Sequence, residues 1–169
     1  MKYLYRITLL TTILISISAC KQKGCTDCNA VNYNNSAKKN DNSCLYSNEN
    51  KLGAYSVSDS ILIAPATQWV HRSYEIEIKR SSCAPNNLII SNYANKFDWL
   101  IGVLSNVDSQ ISNNSILITD QVIEQNDSWY NLVVEESTGY FYNDSIYFTI
   151  DFTSEGGITY YGKCFGKKK

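Results

Sequence analysis

From about residue 51 to the C-terminus, apolar and polar residues alternate with a period of two, and this pattern constrains the fold more than any other feature of the chain. The alternation is clearest at residues 73–79 (Ser-Tyr-Glu-Ile-Glu-Ile-Lys) and 146–152 (Ile-Tyr-Phe-Thr-Ile-Asp-Phe). Because successive side chains of a β-strand point to opposite faces, this period predicts strands with one buried face. No long stretch has the 3.6-residue period of an amphipathic helix, so we expect an all-β fold.

The strands that this pattern predicts are short and regularly spaced. Further candidate strands are residues 54–58, 87–91, 100–105, 115–123, 128–136, 139–142 and 158–165. Turn-forming residues lie between them at 84–87, 112–114, 124–127, 143–144 and 155–157. Strands that recur about every ten residues with such short links indicate an antiparallel barrel or sandwich of about eight strands.

The first 19 residues have the three parts of a secretory signal peptide. Lys2 and Arg6 precede a short apolar run at residues 7–17, which ends in Ile17-Ser18-Ala19-Cys20. The run is shorter than the roughly 20 apolar residues that a bilayer-spanning helix requires. The last four residues resemble the lipobox of bacterial lipoproteins, which implies cleavage before Cys20 and a lipid anchor on that residue. The alternative is an ordinary cleaved signal peptide, with Cys20 beside it by coincidence.

The resemblance to bacterial lipoproteins also bears on where the protein is attached. A single acyl chain binds a membrane only reversibly, whereas the several chains of a mature lipoprotein, palmitate among them, hold firmly. Residues 21–24 are Lys-Gln-Lys-Gly and lack the aspartate that resembles an inner-membrane retention signal. We therefore expect the outer membrane. An acidic surface-export signal is also missing, so periplasmic and surface-facing orientations both stay open.

Length and charge restrict the domain organisation and the partners. Removing residues 1–19 leaves enough chain for one domain, and we expect a tether at 20–50 followed by an antiparallel β domain at 51–169. The tether is rich in Asn, Ser, Lys and Asp and too poor in aliphatic residues to form its own apolar core. Without the signal the chain has 13 basic and 16 acidic residues, a formal charge of about −3, which argues against a nucleic-acid partner.

Five cysteines follow Cys20, and an exported chain lies where thiols oxidise, so disulfides are expected. An odd number leaves one cysteine over, and spacing alone does not define the connectivity. The five are Cys25, Cys28, Cys44, Cys83 and Cys164.

Residues 24–46 resemble a short module of secreted and lipid-anchored Bacteroidetes proteins. The match rests on Gly-Cys-Thr-Asp at the start, Asn-Tyr-Asn in the middle and Ser-Cys near the end. The resemblance implies a disulfide between Cys25 and Cys44. Our preferred scheme adds Cys83–Cys164 and leaves Cys28 unpaired. Because Cys28 stands where the module usually has proline, and Asn42 where it has glycine, a local rearrangement involving Cys28 stays open.

A looser resemblance covers most of residues 51–166. Gly-Ala-Tyr-Ser-Val at 53–57, Leu-Ile-Ile-Ser-Asn-Tyr at 88–93 and the tyrosine-rich hairpins that follow resemble small lipocalin-like lipoproteins of the same bacteria. The resemblance implies a barrel that carries a small apolar ligand, and it brings no catalytic residues with it.

No pattern in the sequence indicates catalysis, so we expect a protein that is not an enzyme. His71 is the only histidine, and triad hydrolases need one beside the nucleophile. Gly-Lys-Cys-Phe-Gly at 162–166 has the letters of a nucleophile elbow, but only three residues follow it, too few for the required helix. Cys25 and Cys28 have redox or zinc spacing, yet an Asn-rich turn follows and no second ligand pair exists.

No metal ion or cofactor is expected either. Five residues of the tether offer the oxygen ligands that calcium prefers, but Asn and Asp are also the commonest turn residues, and the turn interpretation is favoured: Asp27, Asn29, Asn32, Asp41 and Asn42. Glu75 and Glu77 lie on one strand face, where Lys79 continues the row, as is typical of a solvated face.

The remaining unusual feature is 13 tyrosines and three tryptophans. Adjacent aromatic residues in one strand must point to opposite faces, so some rings of Trp129-Tyr130, 140–142 and 160–161 lie outside the core or at a barrel mouth. Exposed rings favour contact with a sugar, a peptide or a lipid, although ordinary packing also uses tyrosine. We predict a lipid-anchored envelope protein whose β domain binds or scaffolds an envelope partner. The alternative is a lipocalin-like carrier of a small apolar ligand.

Overall fold

The computed structural model describes residues 22–64, 69–93, 106–123, 132–154 and 156–169, and almost all of its regular structure is β-strand. One short 3-10 helix covers Glu49–Lys51, and this part of the chain contains no helix with the length and apolar character needed to cross a bilayer. The strands are β1 (Lys23–Gly24), β2 (Lys39–Asn40), β3 (Gly53–Ile63), β4 (Trp69–Arg80), β5 (Asn87–Ser91), β6 (Val107–Ser112), β7 (Ser115–Ile118), β8 (Gln121–Ile123), β9 (Leu132–Val134), β10 (Ser137–Tyr142), β11 (Ser145–Ser154) and β12 (Thr159–Lys168).

Eight of these strands form a closed antiparallel barrel. Their order around the barrel is β3, β4, β5, β6, β7, β10, β11 and β12, and β12 then pairs with β3. The closing ladder runs from Tyr160 opposite Ile63 to Lys168 opposite Tyr55. A small hairpin of β8 and β9 is joined to β11. The prediction of an all-β, antiparallel fold is confirmed, and of its two forms the structure has the barrel.

The sequence alternation defines the two faces of the barrel wall. In β3 the odd-numbered residues from Tyr55 to Ile61 are buried, whereas the even-numbered residues between them are serines that face outward. Directly opposite residues of an antiparallel pair lie on one face, so the register carries this division from strand to strand. The inward-facing residues form one packed cluster: Tyr55, Val57, Ile61, Ile76, Ile78, Leu88, Ile90, Tyr93, Val107, Ile111, Ile116, Ile118, Val134, Phe141, Ile146, Phe148, Ile150, Phe152, Tyr160 and Cys164.

Glycine in β12 lets the closing strand approach its neighbour. A Cβ atom on Gly162 would lie 2.7 Å from both the side chain of Ile61 and the carbonyl oxygen of Ser60. On the interior face of β12, residues that have a side chain therefore alternate with glycines, which have none. This alternation makes room for the large residues of β3 at the closure of the barrel.

The predicted turns at 112–114 and 143–144 connect neighbouring strands of the barrel. Asn113 and Asn143 have φ values of 55° and 51°, a left-handed conformation that asparagine tolerates better than most residues. The strand candidates differ from the structure in two places. Residues 115–123 form two strands, β7 and β8, and no candidate strand corresponds to β6. Residues 100–105 and 128–131 lie outside the described residues, and the described remainder of the candidate at 128–136 contains β9.

The chain divides between Tyr46 and Ser47 into two compact units. In the first unit β1 and β2 pair in parallel, and a disulfide joins Cys25 to Cys44, with their Cα atoms 4.8 Å apart. This is the pair that the Bacteroidetes module implies. The Asn32 side chain donates a hydrogen bond to the carbonyl oxygen of Ser43 and accepts one from the backbone of Leu45, which fastens the segment near Cys44.

The predicted Cys83–Cys164 disulfide and the predicted unpaired Cys28 are both wrong. Cys28 and Cys83 each take part in a disulfide, and Cys164 is a free, buried thiol. Cys164 lies opposite Asp59, which lies opposite Arg72. Cys83 follows the end of β4 at Arg80, and the eight steps along the strand from Arg72 to Arg80 span about 26 Å. The two Cα atoms of a disulfide lie within about 7 Å of each other, so the strand register places Cys83 and Cys164 too far apart to be bonded.

We expect the folded protein to have a single free thiol that reagents cannot reach. Burial and the nearby Asp59 carboxylate raise the pKa of the Cys164 thiol to about 12, so the nucleophilic thiolate is scarce at neutral pH. In a Cys20→Ser variant, Ellman's reagent should find no reactive thiol in the native state and one per chain in guanidinium. A second substitution, Cys164→Ser, should abolish that signal. A signal that survives it would contradict the disulfides described above.

Candidate functional site

A shallow groove runs along the outer face of β3. The outward side chains of this strand are the small serines Ser58 and Ser60, whereas Phe165 and Lys163 stand opposite them on β12. On the other side His71 and Ser73 of β4 complete the groove: Ser58, Ser60, His71, Ser73, Tyr147, Lys163 and Phe165. We call this set the outer-wall groove. The open cavity that these residues line, together with Asp59, Arg72 and Cys164, has a volume of about 520 Å³.

Cross-strand hydrogen bonds hold the polar floor of the groove in place. The Ser58 and Ser73 hydroxyl oxygens are 3.0 Å apart, and the Ser60 hydroxyl lies 2.7 Å from Nδ1 of His71. A hydroxyl can donate one hydrogen bond and accept two. Each floor serine therefore keeps hydrogen-bonding capacity for a ligand after its cross-strand contact is made.

One wall of the groove is a row of aromatic rings across three strands. The register places Tyr140 of β10 opposite Tyr147 of β11, and Tyr147 opposite Phe165 of β12. The Tyr140 and Tyr147 rings stack with centroids 4.8 Å apart, and the Phe165 ring follows at 4.7 Å, tilted by 42°. The row ends at Phe165, because the next residue across is Ser58, which is too short to cover a ring. Tyr140 and Phe165 are 51% and 44% exposed.

Among the described lining residues, the charge directed outward into the groove is the ammonium group of Lys163. Lys163, Ser60 and His71 form one row across β12, β3 and β4. Among the described lining residues the single carboxylate is Asp59, and its side chain points into the barrel. Glu75, the next outward residue of β4 after Ser73, is in an ion pair with Lys169. The groove therefore offers hydroxyls, an aromatic wall and the Lys163 ammonium group, which has no ion-pair partner among the described residues.

A buried ion pair lies directly beneath the floor of the groove. The Asp59 side chain is fully buried. Its carboxylate accepts a hydrogen bond from Nε of Arg72 at 3.0 Å, a second one from the same guanidinium group, and a third from the Tyr74 hydroxyl at 2.9 Å. Burial, with repulsion from Cys164 and Asp59, raises the pKa of Tyr74, so the phenol stays a proton donor. The network satisfies the Asp59 charge inside the barrel and joins β3 to β4 at the level of Ser58 and Ser60.

Three of the sequence patterns considered for catalysis have no supporting geometry among the described residues. His71 lies on the outer wall with Ser60, and no carboxylate in its cross-strand row orients the imidazole. The Gly-Lys-Cys-Phe-Gly run at 162–166 lies in the middle of β12, where the nucleophile elbow would require a helix to follow. Cys25 and Cys28, which have redox or zinc spacing, are both disulfide-bonded.

The oxygen atoms considered for calcium take part in turns. Asp27 and Asp41 each accept a hydrogen bond from a backbone amide two residues later, and Asn32 accepts one from Leu45. Within the described part of the chain, no group of three or more His, Cys, Asp or Glu residues could hold a metal ion. Glu75 and Glu77 face outward in ion pairs with lysines, as a solvated strand face does.

Of the adjacent aromatic residues at 140–142 and 160–161, some lie outside the core, as the sequence predicted, whereas Phe141 and Tyr160 are buried. Tyr140, Tyr142 and Tyr161 are exposed, as are Trp69 and Phe165. Trp129-Tyr130 and the candidate lipidation residue Cys20 lie outside the described residues. Sequence reasoning missed the serine floor and the buried Asp59–Arg72 pair, since both depend on the register between β3 and β4.

Comparisons with known proteins give one structural likeness. No protein-family model matches the chain, and no curated protein matches it. One solved structure, from Bacteroides fragilis and described as a "putative outer membrane protein", superposes with a TM-score of 0.45 at 18% sequence identity. The match covers 69% of this chain and 50% of that one, so this chain spans half the length of that protein.

We expect the fold to depend on the Asp59–Arg72 pair. An Asp59→Asn substitution keeps the size of the side chain but leaves the largely buried Arg72 without a countercharge, so it should destabilise the barrel by about 3–5 kcal/mol. Urea unfolding followed by circular dichroism measures this loss. The control is Ser58→Ala on the outward face of the same strand, which should change stability by less than about 0.5 kcal/mol. Equal effects of the two substitutions would contradict the structural role of the pair.

Proposed function

We propose that this protein is a lipid-anchored lipoprotein of the bacterial outer membrane, whose barrel binds an envelope ligand through the outer-wall groove and performs no catalysis. The observation that carries the binding role is the exposed aromatic row beside a floor of serine hydroxyls. Exposed rings that remain in contact with water are typical of surfaces that meet a partner. The lipobox-like Ile17-Ser18-Ala19-Cys20 supports the anchor.

The chemistry of the two candidate nucleophiles supports a binding role over an enzymatic one. The Ser60 hydroxyl contacts His71, but no carboxylate lies in that row to orient the ring, as a Ser-His-Asp triad requires. The Cys164 thiol is buried inside the wall, and its raised pKa keeps it protonated.

The carrier alternative places the ligand inside the barrel. The inward side chains of the described strands pack into one cluster, and a charged network occupies part of the same interior. An apolar ligand would have to displace packed aromatic and aliphatic side chains or lie against the Asp59–Arg72 pair. The outer-wall groove is accessible without displacing packed side chains, which favours binding at the outer wall.

Metabolic labelling with an alkyne analogue of palmitate tests the anchor. The full-length protein, expressed in a Gram-negative host, should carry the label and sediment with the outer membrane. The Cys20→Ala variant should lose the label and the membrane association. Cys164→Ser is the matched control, since it removes a different cysteine and should keep both. Label on the Cys20→Ala variant, or wild-type protein free of lipid, would overturn the anchor.

A further inference from the structure

We propose that the outer-wall groove binds an acidic saccharide, that is, a sugar chain whose residues carry carboxylate groups. The inference rests on the binding role proposed above and names the ligand class of the same site. It follows from three features of the groove: the paired strands of its floor, its mixture of hydroxyls and rings, and its charge.

The paired strands exclude recognition through the backbone of a ligand. Peptides commonly bind sheets by adding a strand to a free edge, where main-chain groups are unpaired. The groove lies over β12, β3 and β4, which are hydrogen-bonded to one another in continuous ladders from Tyr160 to Lys168 and from Gly53 to Leu62. Over these described ladders the surface has no free edge, so a ligand here is recognised by side chains alone.

The side chains of the groove match the two surfaces of a sugar ring. A sugar presents hydroxyl groups around its edge and C–H groups on its face. Ser58, Ser60 and Ser73 provide hydroxyls that can still donate or accept hydrogen bonds. Phe165, at the open end of the aromatic row, provides an apolar ring for the C–H face. A lipid tail would bury these hydroxyls without using the hydrogen-bonding capacity that remains after their cross-strand contacts, which costs free energy.

The charge of the groove selects an anionic sugar. Lys163 and His71 flank Ser60 in one row, and the described lining residues direct no carboxylate outward into the groove. Lys163 is exposed and has no ion-pair partner among the salt bridges of the described residues, so its ammonium group is available to a ligand carboxylate. Because the chain as a whole has a formal charge of −1, this basic row gives local complementarity and no general attraction for polyanions.

Isothermal titration calorimetry of the full-length protein tests the proposal, in a zwitterionic detergent that has no sugar headgroup. The probes are tetragalacturonate, which carries four carboxylates, neutral maltotetraose, and a tetraglutamate peptide as the acidic competitor. We expect tetragalacturonate to bind at least about tenfold more tightly than either of the others, and added salt to weaken it. Stronger or equal binding of maltotetraose or tetraglutamate would overturn the acidic saccharide.

Variants of the groove locate the binding. Lys163→Gln and Phe165→Ala should each weaken tetragalacturonate binding by about tenfold, since each removes one recognising group. Lys79→Gln and Tyr161→Ala are the matched controls, because both residues are exposed on the barrel, outside the groove, and neither should change the affinity. Unchanged thermal unfolding shows that all four variants are folded. If the controls weaken binding as much as the groove variants, the site is wrong. If no saccharide binds while Cys20 is acylated, the ligand class fails and the anchor stands.

Discussion

The pairing of β12 with β3 is the interaction on which the rest of this structure depends. The ladder closes the barrel and fixes which residues of both strands face inward, because a shift of one residue would exchange the two faces. Closure in this register places Asp59 and Cys164 inside and Ser58, Phe165 and Lys163 outside. Gly162 makes the close approach of the two strands possible. The core and the outer-wall groove are therefore two consequences of one register.

The buried ion pair and the groove share the same two strands. Asp59 and Arg72 face inward at the position where Ser58 and Ser60 face outward, so the network that links β3 to β4 also supports the floor of the groove. A buried charge is costly unless it is paired, and here the partner is supplied from the neighbouring strand. Serines on the outer faces of β3 and β4 then leave a depression beside the larger side chains of His71, Lys163 and Phe165. Small side chains on these two strands thus create the groove without opening the barrel.

The sequence predicts what depends on local pattern and misses what depends on register. Alternation in 73–79 and 146–152 predicts β4 and β11, because each pattern lies within one strand. It misses β6, whose inward Ser109 interrupts the apolar series and is satisfied by the carbonyl oxygen of Leu88. The Cys83–Cys164 prediction is wrong because no local pattern shows that Cys164 points into the core. The serine floor becomes a groove only beside Phe165, which follows Ser58 by more than a hundred residues.

In the proposed function, the ligand binds the outer wall of the barrel and does not enter its interior, which packed side chains fill. An NMR titration of the isotope-labelled full-length protein with tetragalacturonate tests this most directly. We predict that the backbone amide signals of Ser58, Ser60 and Lys163 shift, while those of the methyl groups of the inward-facing Ile90 and Ile118 stay unchanged. Shifts of those interior methyl groups, with the amides of the outer-wall groove unaffected, would contradict it and place the ligand inside the barrel.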